Sequence, residues 1–343
     1  MKRQLAALLL TIFALSLTAC GETAAESETR TVYAMDTVMN LTVYGENAAA
    51  ALESAEKELH TLDEAVLSRT AEGSELYALN TSNGETVEYG ADDILPALIE
   101  TALTISDATD GAFDPTLAPV LDAWGFTKDE HRVPSADELK ELLSHTGCGK
   151  VALEKTADGW TVTLLDGAQL DLGGIAKGYA AGRVRTILRE AGVTSAIISL
   201  GGNVAAVGKK PDGSAWTVGL QDPDRPEAYF GTVSIEDACV VTSGAYQRYF
   251  EENGVCYHHI LDPHTGCPAE SGVKSVSVVA QDDTLADALS TALFVMGLDA
   301  GAEFQKSSGL SFEAVFVTDD NTVWITPGLA GRYRSDRPYQ ILE

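Results

Sequence analysis

The stretch VKSVSVVAQDDTLADALSTALFVMG (residues 273–297) decides the fold class, because it joins a strand directly to a helix. Its valine-rich first half is typical of a β-strand, and its second half is apolar at helical spacing. Similar strands and helices follow one another along the chain without a regular β-α alternation. We therefore predict an α+β fold. It consists of a layered mixed or antiparallel sheet core with helices packed on it, in a single large domain that could form two lobes.

Within this stretch, Asp287, Ser290 and Thr291 stand at i, i+3 and i+4, so the helix places three oxygen-bearing side chains on one face. One interpretation is a capping box, in which Thr284 caps the helix, Asp287 supports it and the polar face meets solvent. The other is a site for a hard cation such as Mg²⁺, which takes carboxylate, hydroxyl and carbonyl oxygens. The spacing alone leaves both interpretations open.

The N-terminus has the pattern of an exported protein. Lys2 and Arg3 precede the apolar run LAALLLTIFALSL, and LTAC ends at Cys20. We predict a lipoprotein signal peptide over residues 1–19, a flexible tether over residues 20–30 that begins at the lipidated Cys20, and a catalytic domain over residues 31–343. The protein would then be extracytoplasmic and anchored to the cell membrane by lipid. A transmembrane anchor is the alternative, but the apolar run is short for a span.

The composition excludes some classes of function. The chain has 51 acidic and 23 basic side chains and a formal net charge of −28, whereas nucleic-acid binding requires a basic surface. Four cysteines follow Cys20, and none has the spacing of a zinc site. Export permits disulfides, but the spacing assigns none.

A second candidate site is LDLGGIAKGYAAG (residues 170–182). A strand ends at Asp171, Gly173 and Gly174 turn the chain, and a helix begins that carries Lys177 one turn in. Main-chain N–H groups at a helix start suit a phosphate, although the spacing matches neither a P-loop nor a dinucleotide fingerprint. A plain strand-to-helix turn explains the glycines equally well.

Three further segments carry weaker signals. HHILDPHTGCP (residues 258–268) combines turn chemistry with two adjacent histidines, of which at most one faces a given site on a strand. GAFDPTLAPV (residues 111–120) and SGAYQRYF (residues 243–250) are a turn and a strand end with aromatic packing.

Taken together and in this order, these segments resemble the FAD:protein FMN transferases, the ApbE family. MDTVMNLTVYG, GSELYALN and ISLGGNVAAVGKK add to the resemblance, which covers about residues 31–320. The resemblance implies an enzyme that uses Mg²⁺ to split FAD at its pyrophosphate, transfers FMN to a threonine of an acceptor protein and releases AMP. The implied acceptors are subunits of the Rnf complex or of the sodium-pumping NADH:quinone reductase, or extracytoplasmic flavin-binding electron-transfer proteins.

The resemblance also implies roles for individual residues. The metal would be held by Asp287, Thr291 and the carbonyl of Gly174, with Ser290 adjacent, and His259 would act beside Asp287 as the catalytic base or as an orienting group. The FAD-binding positions would be Met35, Thr70, Ala112, Phe113, Asp114, Asp171, Lys177 and Leu261. Thr70 stands where some members have a tyrosine, and Lys177 stands where others have an acidic residue.

Two other functions remain open from the sequence. The protein could hydrolyse FAD to FMN and AMP, with water in place of the threonine. It could also be a non-catalytic flavin-binding lipoprotein, although a carrier has little use for a metal-binding pair such as Asp287 and Thr291.

Overall fold

The structure is a computed structural model that describes residues 26–126 and 130–343. The predicted signal peptide and Cys20 lie outside the described residues. The end of the predicted tether needs correction, because the first strand begins at Ser27 and pairs with the second as far as Tyr44. Main-chain hydrogen bonds therefore hold residues 27–30 in a sheet.

The strands of the described chain are short except for β9. They are β1 (Ser27–Ala34), β2 (Thr37–Tyr44), β3 (Val87–Gly90), β4 (Val151–Lys155), β5 (Gly159–Leu164), β6 (Ser195–Leu200), β7 (Asn203–Gly208), β8 (Trp216–Asp222), β9 (Arg225–Ile235), β10 (Cys239–Gly244), β11 (Tyr249–Glu252), β12 (Val255–His258), β13 (Val273–Ala280), β14 (Phe312–Thr318), β15 (Val323–Ile325), β16 (Tyr333–Arg334) and β17 (Tyr339–Ile341).

The α-helices of the described residues are α1 (Ala48–Thr61), α2 (Glu75–Asn80), α3 (Ile94–Ala108), α4 (Ala118–Trp124), α5 (Ala136–Leu143), α6 (Ala176–Glu190) and α7 (Asp283–Ser307). A π-helical turn over Leu62–Leu67 continues α1, and 3₁₀ turns cover Cys148–Lys150 and Pro327–Leu329. Helix α7 is interrupted at Gly297, whose φ of 77° is left-handed.

A nine-stranded sheet forms the centre of the molecule, in the order β1-β2-β6-β7-β10-β13-β14-β15-β17. Adjacent strands of this sheet are antiparallel, except that β15 and β17 are parallel. Smaller sheets have the orders β16-β9-β8, β3-β5-β4 and β11-β12. The predicted α+β class with a mixed sheet is confirmed.

The nine-stranded sheet has a core on each face, because successive side chains of a strand point to opposite sides. On β13, Val278 faces the core under the helices, whereas Val279 faces the core under the β16-β9-β8 sheet. Burial of each such side chain contributes about 1.5–3 kcal/mol. The result is three stacked layers: helices, large sheet and small sheet.

Helices α6 and α7 cross at Gly178, and this contact positions the candidate site. A Cβ on Gly178 would lie 2.2 Å from the carbonyl oxygen of Asp283 and 2.6 Å from Cβ of Asp287. A buried ion pair between Arg185 and Asp283, at 2.6 Å, joins the same two helices. The N-terminal turns of α6 and α7 therefore face each other closely.

Helix α7 is, among the described residues, the one helix long and apolar enough to cross a bilayer. Leu289 and Leu293 are nevertheless fully buried against the sheet, so its apolar length belongs to the core. The cysteines Cys148, Cys239, Cys256 and Cys267 are free thiols.

Candidate active site

A cleft of about 760 Å³ opens where the start of α6, the first turns of α7 and several hairpin ends meet. It brings together residues that the sequence placed more than 200 positions apart. The predicted residues that line it are Met35, Thr70, Ala112, Phe113, Asp114, Asp171, Gly174, Lys177, His259, Leu261, Asp287 and Thr291.

Asp287 faces this cleft and does not meet open solvent. The capping-box interpretation is wrong, because Asp282 caps α7 by accepting from the main-chain N–H of Leu285 at 3.0 Å. The Asp287 carboxylate is 4% exposed. It accepts from the N–H of Gly178 at 2.7 Å and from Nδ2 of Asn203 at 3.0 Å. Asp287 thus bonds to the first turn of α6, where a carboxylate also benefits from the helix dipole.

Burial raises the pKa of Asp287, and the positive charge of Lys177 together with the donors Asn203 and Gly178 opposes that rise. A carboxylate offers about four lone-pair positions, and the donors from Gly178, Asn203 and the main chain of Lys177 do not use all of them. The remaining positions leave the group able to bind a cation from the cleft.

Thr291 lies one turn further along α7, next to Gly174. A Cβ on Gly174 would lie 3.6 Å from Oγ1 of Thr291 and 3.1 Å from the ring of Phe113. The absence of a side chain at this turn therefore leaves room between the main chain of Gly174 and the Thr291 hydroxyl. Asp287, Thr291 and Gly174 thus line the same cleft.

Ser290 lies behind that wall. It is fully buried, and its hydroxyl lies 2.8 Å from the carbonyl oxygen of Asp287, to which it donates, and 2.7 Å from Oγ of Ser243. Ser243, which lines the cleft, is in turn 3.3 Å from Oγ1 of Thr291. Ser290 therefore lies behind Asp287 and Thr291, and through Ser243 its hydrogen bonds connect these two residues from inside the protein.

The donor set fits a hard divalent cation that is shared with a ligand. Within residues 26–126 and 130–343, no three His, Cys, Asp or Glu side chains are placed so that they could hold a metal ion together, so this part of the chain builds no closed cage of such side chains. Mg²⁺ is commonly bound through one or two carboxylates, with substrate phosphates supplying further oxygens. Asp287, Thr291 and the main chain of Gly174 match that pattern.

His259 and His258 point to different places, as alternation along a strand requires. The ring of His258 packs edge-on against Phe294 of α7, with centroids 5.4 Å apart. His259 lines the cleft, and its Nδ1 lies 3.1 Å from the carbonyl oxygen of Arg248. A carbonyl can only accept, so Nδ1 carries the hydrogen and Nε2 keeps a lone pair.

The imidazole of His259 is partly accessible from the cleft but densely surrounded by protein. Burial lowers the pKa of His259 to about 3, and the positive charges of Arg248 and Lys177 act in the same direction. The ring is therefore neutral at physiological pH when the cleft holds no anion.

Asp171 is paired with an arginine that the sequence analysis missed. Its carboxylate accepts from Nε of Arg69 at 2.8 Å and from the N–H of Gly173 at 2.8 Å. Arg69 also binds Asp122 of α4. The charge of Asp171 is thus neutralised within the cleft, and its side chain shapes the turn that precedes α6.

The remaining predicted residues form the apolar and polar walls. Ala112 and Phe113 are largely buried, and Asp114 accepts from the main chain and the hydroxyl of Thr116 at 2.7 and 2.6 Å. Burial raises the pKa of Asp114 against these donors. Leu261 is 4% exposed beside them.

Met35 occupies a strained turn at the mouth of the cleft. Met35 and Asp36, at the tip of the β1–β2 hairpin, have φ values of 50° and 56°. A two-residue hairpin of this kind usually carries glycine or asparagine, and strain at a non-glycine residue costs about 1–3 kcal/mol. Thr70 is exposed on the loop that follows the π-helical turn, and such turns often accompany functional sites.

Several polar residues of the cleft were not identified from the sequence, among them Arg69, Asn203, Ser243 and Arg248. Asn203 follows the Gly201–Gly202 turn of the β6–β7 hairpin, and Ser243 ends β10. Each lies more than 40 positions from the α7 residue to which it bonds. Asn203 and Ser243 lie in ISLGGNVAAVGKK and SGAYQRYF, two segments that contribute to the family resemblance. No rule of residue spacing, however, distinguishes these two residues from the others in those segments.

Nearly all of the described chain is similar to known proteins of one family. The model of the ApbE family matches residues 35–316. The chain is 37% identical over 340 residues to the FAD:protein FMN transferase of Treponema pallidum, covering 92% of this chain and 91% of that protein. It is 36% identical over 249 residues to the FAD:protein FMN transferase of Klebsiella pneumoniae, covering 72% and 76%.

Solved structures agree with the fold. The ApbE protein of Thermotoga maritima has a TM-score of 0.82 at 34% identity, covering 90% of this chain and 100% of that one. The apo form of the flavinyl transferase ApbE from Pseudomonas stutzeri has a TM-score of 0.76 at 31% identity, covering 87% and 93%.

Proposed function

This chain belongs to the ApbE family, and from that membership we propose that it is a Mg²⁺-dependent FAD:protein FMN transferase. It cleaves the pyrophosphate of FAD, attaches FMN through a phosphoester to a threonine of an acceptor protein and releases AMP. The observation that carries the proposal is the meeting of Asp287, Thr291, Gly174 and His259 in one cleft of about 760 Å³.

The reaction needs charge neutralisation, because the negative oxygens of a pyrophosphate repel a nucleophile. Asp287 and Thr291, with the carbonyl of Gly174, would hold Mg²⁺. When bound, Mg²⁺ supplies neutralisation of the phosphate oxygens and a fixed orientation for in-line attack. Main-chain N–H groups at the start of α6 and the ammonium group of Lys177 add positive charge on the same wall.

The threonine hydroxyl needs to lose its proton as it attacks. The threonine oxygen forms a bond to the phosphorus of the FMN half, and the bond from that phosphorus to the bridging oxygen breaks. AMP leaves with the electron pair. Nε2 of His259 is the acceptor for the threonine proton, since Nδ1–H is held by the Arg248 carbonyl. A base with a pKa of about 3 is weak, but the negative charge of bound phosphates raises that pKa.

We further propose that the acceptor lies outside the cytoplasm and that the enzyme reaches it from a lipid anchor at Cys20. The leader-like residues 1–19 and the cysteine that follows them support this location. The acceptor would be a flavin-carrying subunit of the Rnf complex or of the sodium-pumping NADH:quinone reductase, or an extracytoplasmic flavin-binding electron-transfer protein.

The test incubates the protein with FAD, Mg²⁺ and such an acceptor domain, and measures the mass of the acceptor with and without chelator. A gain equal to FMN that chelator abolishes is the expected result. A parallel reaction with the Treponema pallidum relative shows whether the acceptor is competent.

Absence of the mass gain, where that relative succeeds, would contradict the proposal. AMP release measured without acceptor separates the other two functions. Fast release without any mass gain indicates an FAD hydrolase, and tight FAD binding with no release indicates a carrier.

A further inference from the structure

Two cations in the cleft have no carboxylate partner in the described part of the chain, although acidic side chains outnumber basic ones by 51 to 23. Arg69, the other arginine of the lining, is neutralised because it binds two carboxylates. Lys177 donates to the carbonyl oxygen of Gly173 at 3.4 Å and has no acidic partner within 4.0 Å in residues 26–126 and 130–343. The side chain of Arg248 is likewise without an acidic partner there.

Arg248 lies at the base of the β11–β12 hairpin, directly beside His259. Its carbonyl oxygen accepts from the main-chain N–H of His259 at 3.1 Å and from Nδ1 of the imidazole at 3.1 Å. Its side chain is exposed on the lining of the cleft. The main chain of Arg248 therefore positions His259, whereas its guanidinium group has no acidic partner in the described residues.

Lys177 and Arg248 approach His259 from different elements, α6 and the hairpin. The charges of both act on the imidazole, and that of Lys177 also acts on Asp287. The cleft thus contains Lys177 near the cation-binding wall and Arg248 on the hairpin side of His259. These two cations favour a negatively charged ligand in their own part of the cleft, although five aspartates also line it: Asp36, Asp63, Asp114, Asp171 and Asp287.

We propose that Arg248 is the second cation of the pyrophosphate site. Its guanidinium group contacts the phosphoryl oxygens beside His259, while the ammonium group of Lys177 contacts those on the side of α6. This assignment rests on the proposed function, in which FAD brings two negative charges into the cleft. A guanidinium group matches two phosphoryl oxygens at once, which an ammonium group cannot do.

Arg69 cannot take this role, although it also lines the cleft. Its guanidinium group is held by Asp171 and Asp122, and its side chain is only 12% exposed. Asp171 is consequently no source of repulsion for a pyrophosphate, and Arg69 offers no free charge to it. Arg248 is the arginine of the lining that remains available.

The test measures equilibrium binding of FAD and of riboflavin, which lacks phosphate, to the full-length protein without acceptor. The variants are Arg248→Gln, Arg248→Lys and, as a matched control, Arg332→Gln, an exposed arginine outside the cleft lining. Substituting the side chain preserves the Arg248 carbonyl that holds His259.

For Arg248→Gln we expect FAD to bind about 10-fold more weakly, the lower end for a hydrogen bond to a charged group because the side chain is exposed. Riboflavin binding stays unchanged. Arg248→Lys loses less than the glutamine variant, since it keeps the charge but not the two-point contact. Arg332→Gln binds both ligands as the unaltered protein does.

Any of three results would overturn the assignment. The first two are unchanged FAD binding by Arg248→Gln and an equal loss of FAD and riboflavin binding. The third comes from a separate transfer assay with acceptor: a rise in the KM for the acceptor alone would make Arg248 a contact of the acceptor protein. FAD binding is measured without acceptor, so the role of Arg248 can be tested even if the protein transfers no FMN. A protein that binds FAD but transfers nothing would refute the proposed transferase activity and not the assignment of Arg248.

Discussion

Replacement of Asp287 by asparagine or by alanine separates its two possible roles, a support for α6 and a ligand for a cation. Both variants remove the negative charge. They differ in hydrogen bonding, because the asparagine oxygen can still accept from the N–H of Gly178. The amide of Asn203, which makes no other hydrogen bond among the described residues, can rotate to accept from the new NH₂ group.

The magnitude follows from these two bonds. Alanine leaves the buried N–H of Gly178 and the buried amide of Asn203 without a partner, and each unsatisfied buried group costs about 1–3 kcal/mol. We therefore expect the free energy of unfolding of Asp287→Ala to be about 2–6 kcal/mol below that of Asp287→Asn. Loss of the cation-binding charge removes several kcal/mol of transition-state stabilisation. Mg²⁺-dependent transfer should then fall about 100- to 10,000-fold in both variants.

Stability is measured by denaturant unfolding in chelator, and transfer by the mass of the acceptor. Asp282→Ala is the matched control, because Asp282 caps α7 without lining the cleft. It should lose about 1 kcal/mol of stability and keep its transfer rate. If Asp287→Asn is stable and still transfers FMN at the normal rate with Mg²⁺, Asp287 is a structural support and the cation-binding assignment is wrong.

Three further predictions concern the frame around the site. Gly178→Ala should lower the free energy of unfolding by about 1–3 kcal/mol, since its Cβ would meet the carbonyl oxygen of Asp283 at 2.2 Å. Gly182→Ala is the control and should not lower it, because the nearest atom to its Cβ is 3.7 Å away. Equal effects of the two substitutions would contradict the close packing at Gly178. The imidazole of His259, whose pKa burial lowers to about 3, should stay neutral by NMR from pH 7 to pH 4 in the ligand-free protein. Because the unfolded chain takes up that proton below about pH 6.5, stability should fall with pH between about 6.5 and 3, with a smaller slope in His259→Gln; a titration near pH 6.5 would refute this. Burial opposes ionisation of Asp222, but hydrogen bonds from Arg225 and the charge of a second arginine lower its pKa. Asp222→Asn should therefore lower the free energy of unfolding by about 1–3 kcal/mol at pH 7. In unfolding curves of the two proteins measured side by side, this difference should disappear as the pH falls below about 4.

Local periodicity of the sequence was sufficient to predict some features of the candidate site. The 3.6-residue repeat of a helix places Asp287, Ser290 and Thr291 on one face of α7 wherever the helix lies. Alternation along a strand likewise requires His258 and His259 to point apart. The glycine turn before the helix that begins at Ala176 was also predicted, but the strand expected to end at Asp171 is wrong. Strand β5 ends at Leu164, and Gln169 forms only an isolated bridge with Leu117.

Other features depended on contacts between distant segments. Whether Asp287 meets water or a cleft depends on α6, which approaches closely because Gly178 has no side chain, and on Asn203 from the β6–β7 hairpin. The choice between the two histidines depends on Phe294, which covers His258. No local pattern carries these contacts.

The sequence by itself determined the α+β class, the family resemblance and the polar face of α7, because these follow from patterns that are read within one segment. Only the tertiary structure decided that Asp282 and not Thr284 caps the helix and that Arg69 neutralises Asp171. It also decided that Arg248 lines the cleft without an acidic partner among residues 26–126 and 130–343. The physical reason is that a hydrogen bond or an ion pair depends on distances of about 3 Å. Those distances are set by the packing of segments that are far apart in the chain.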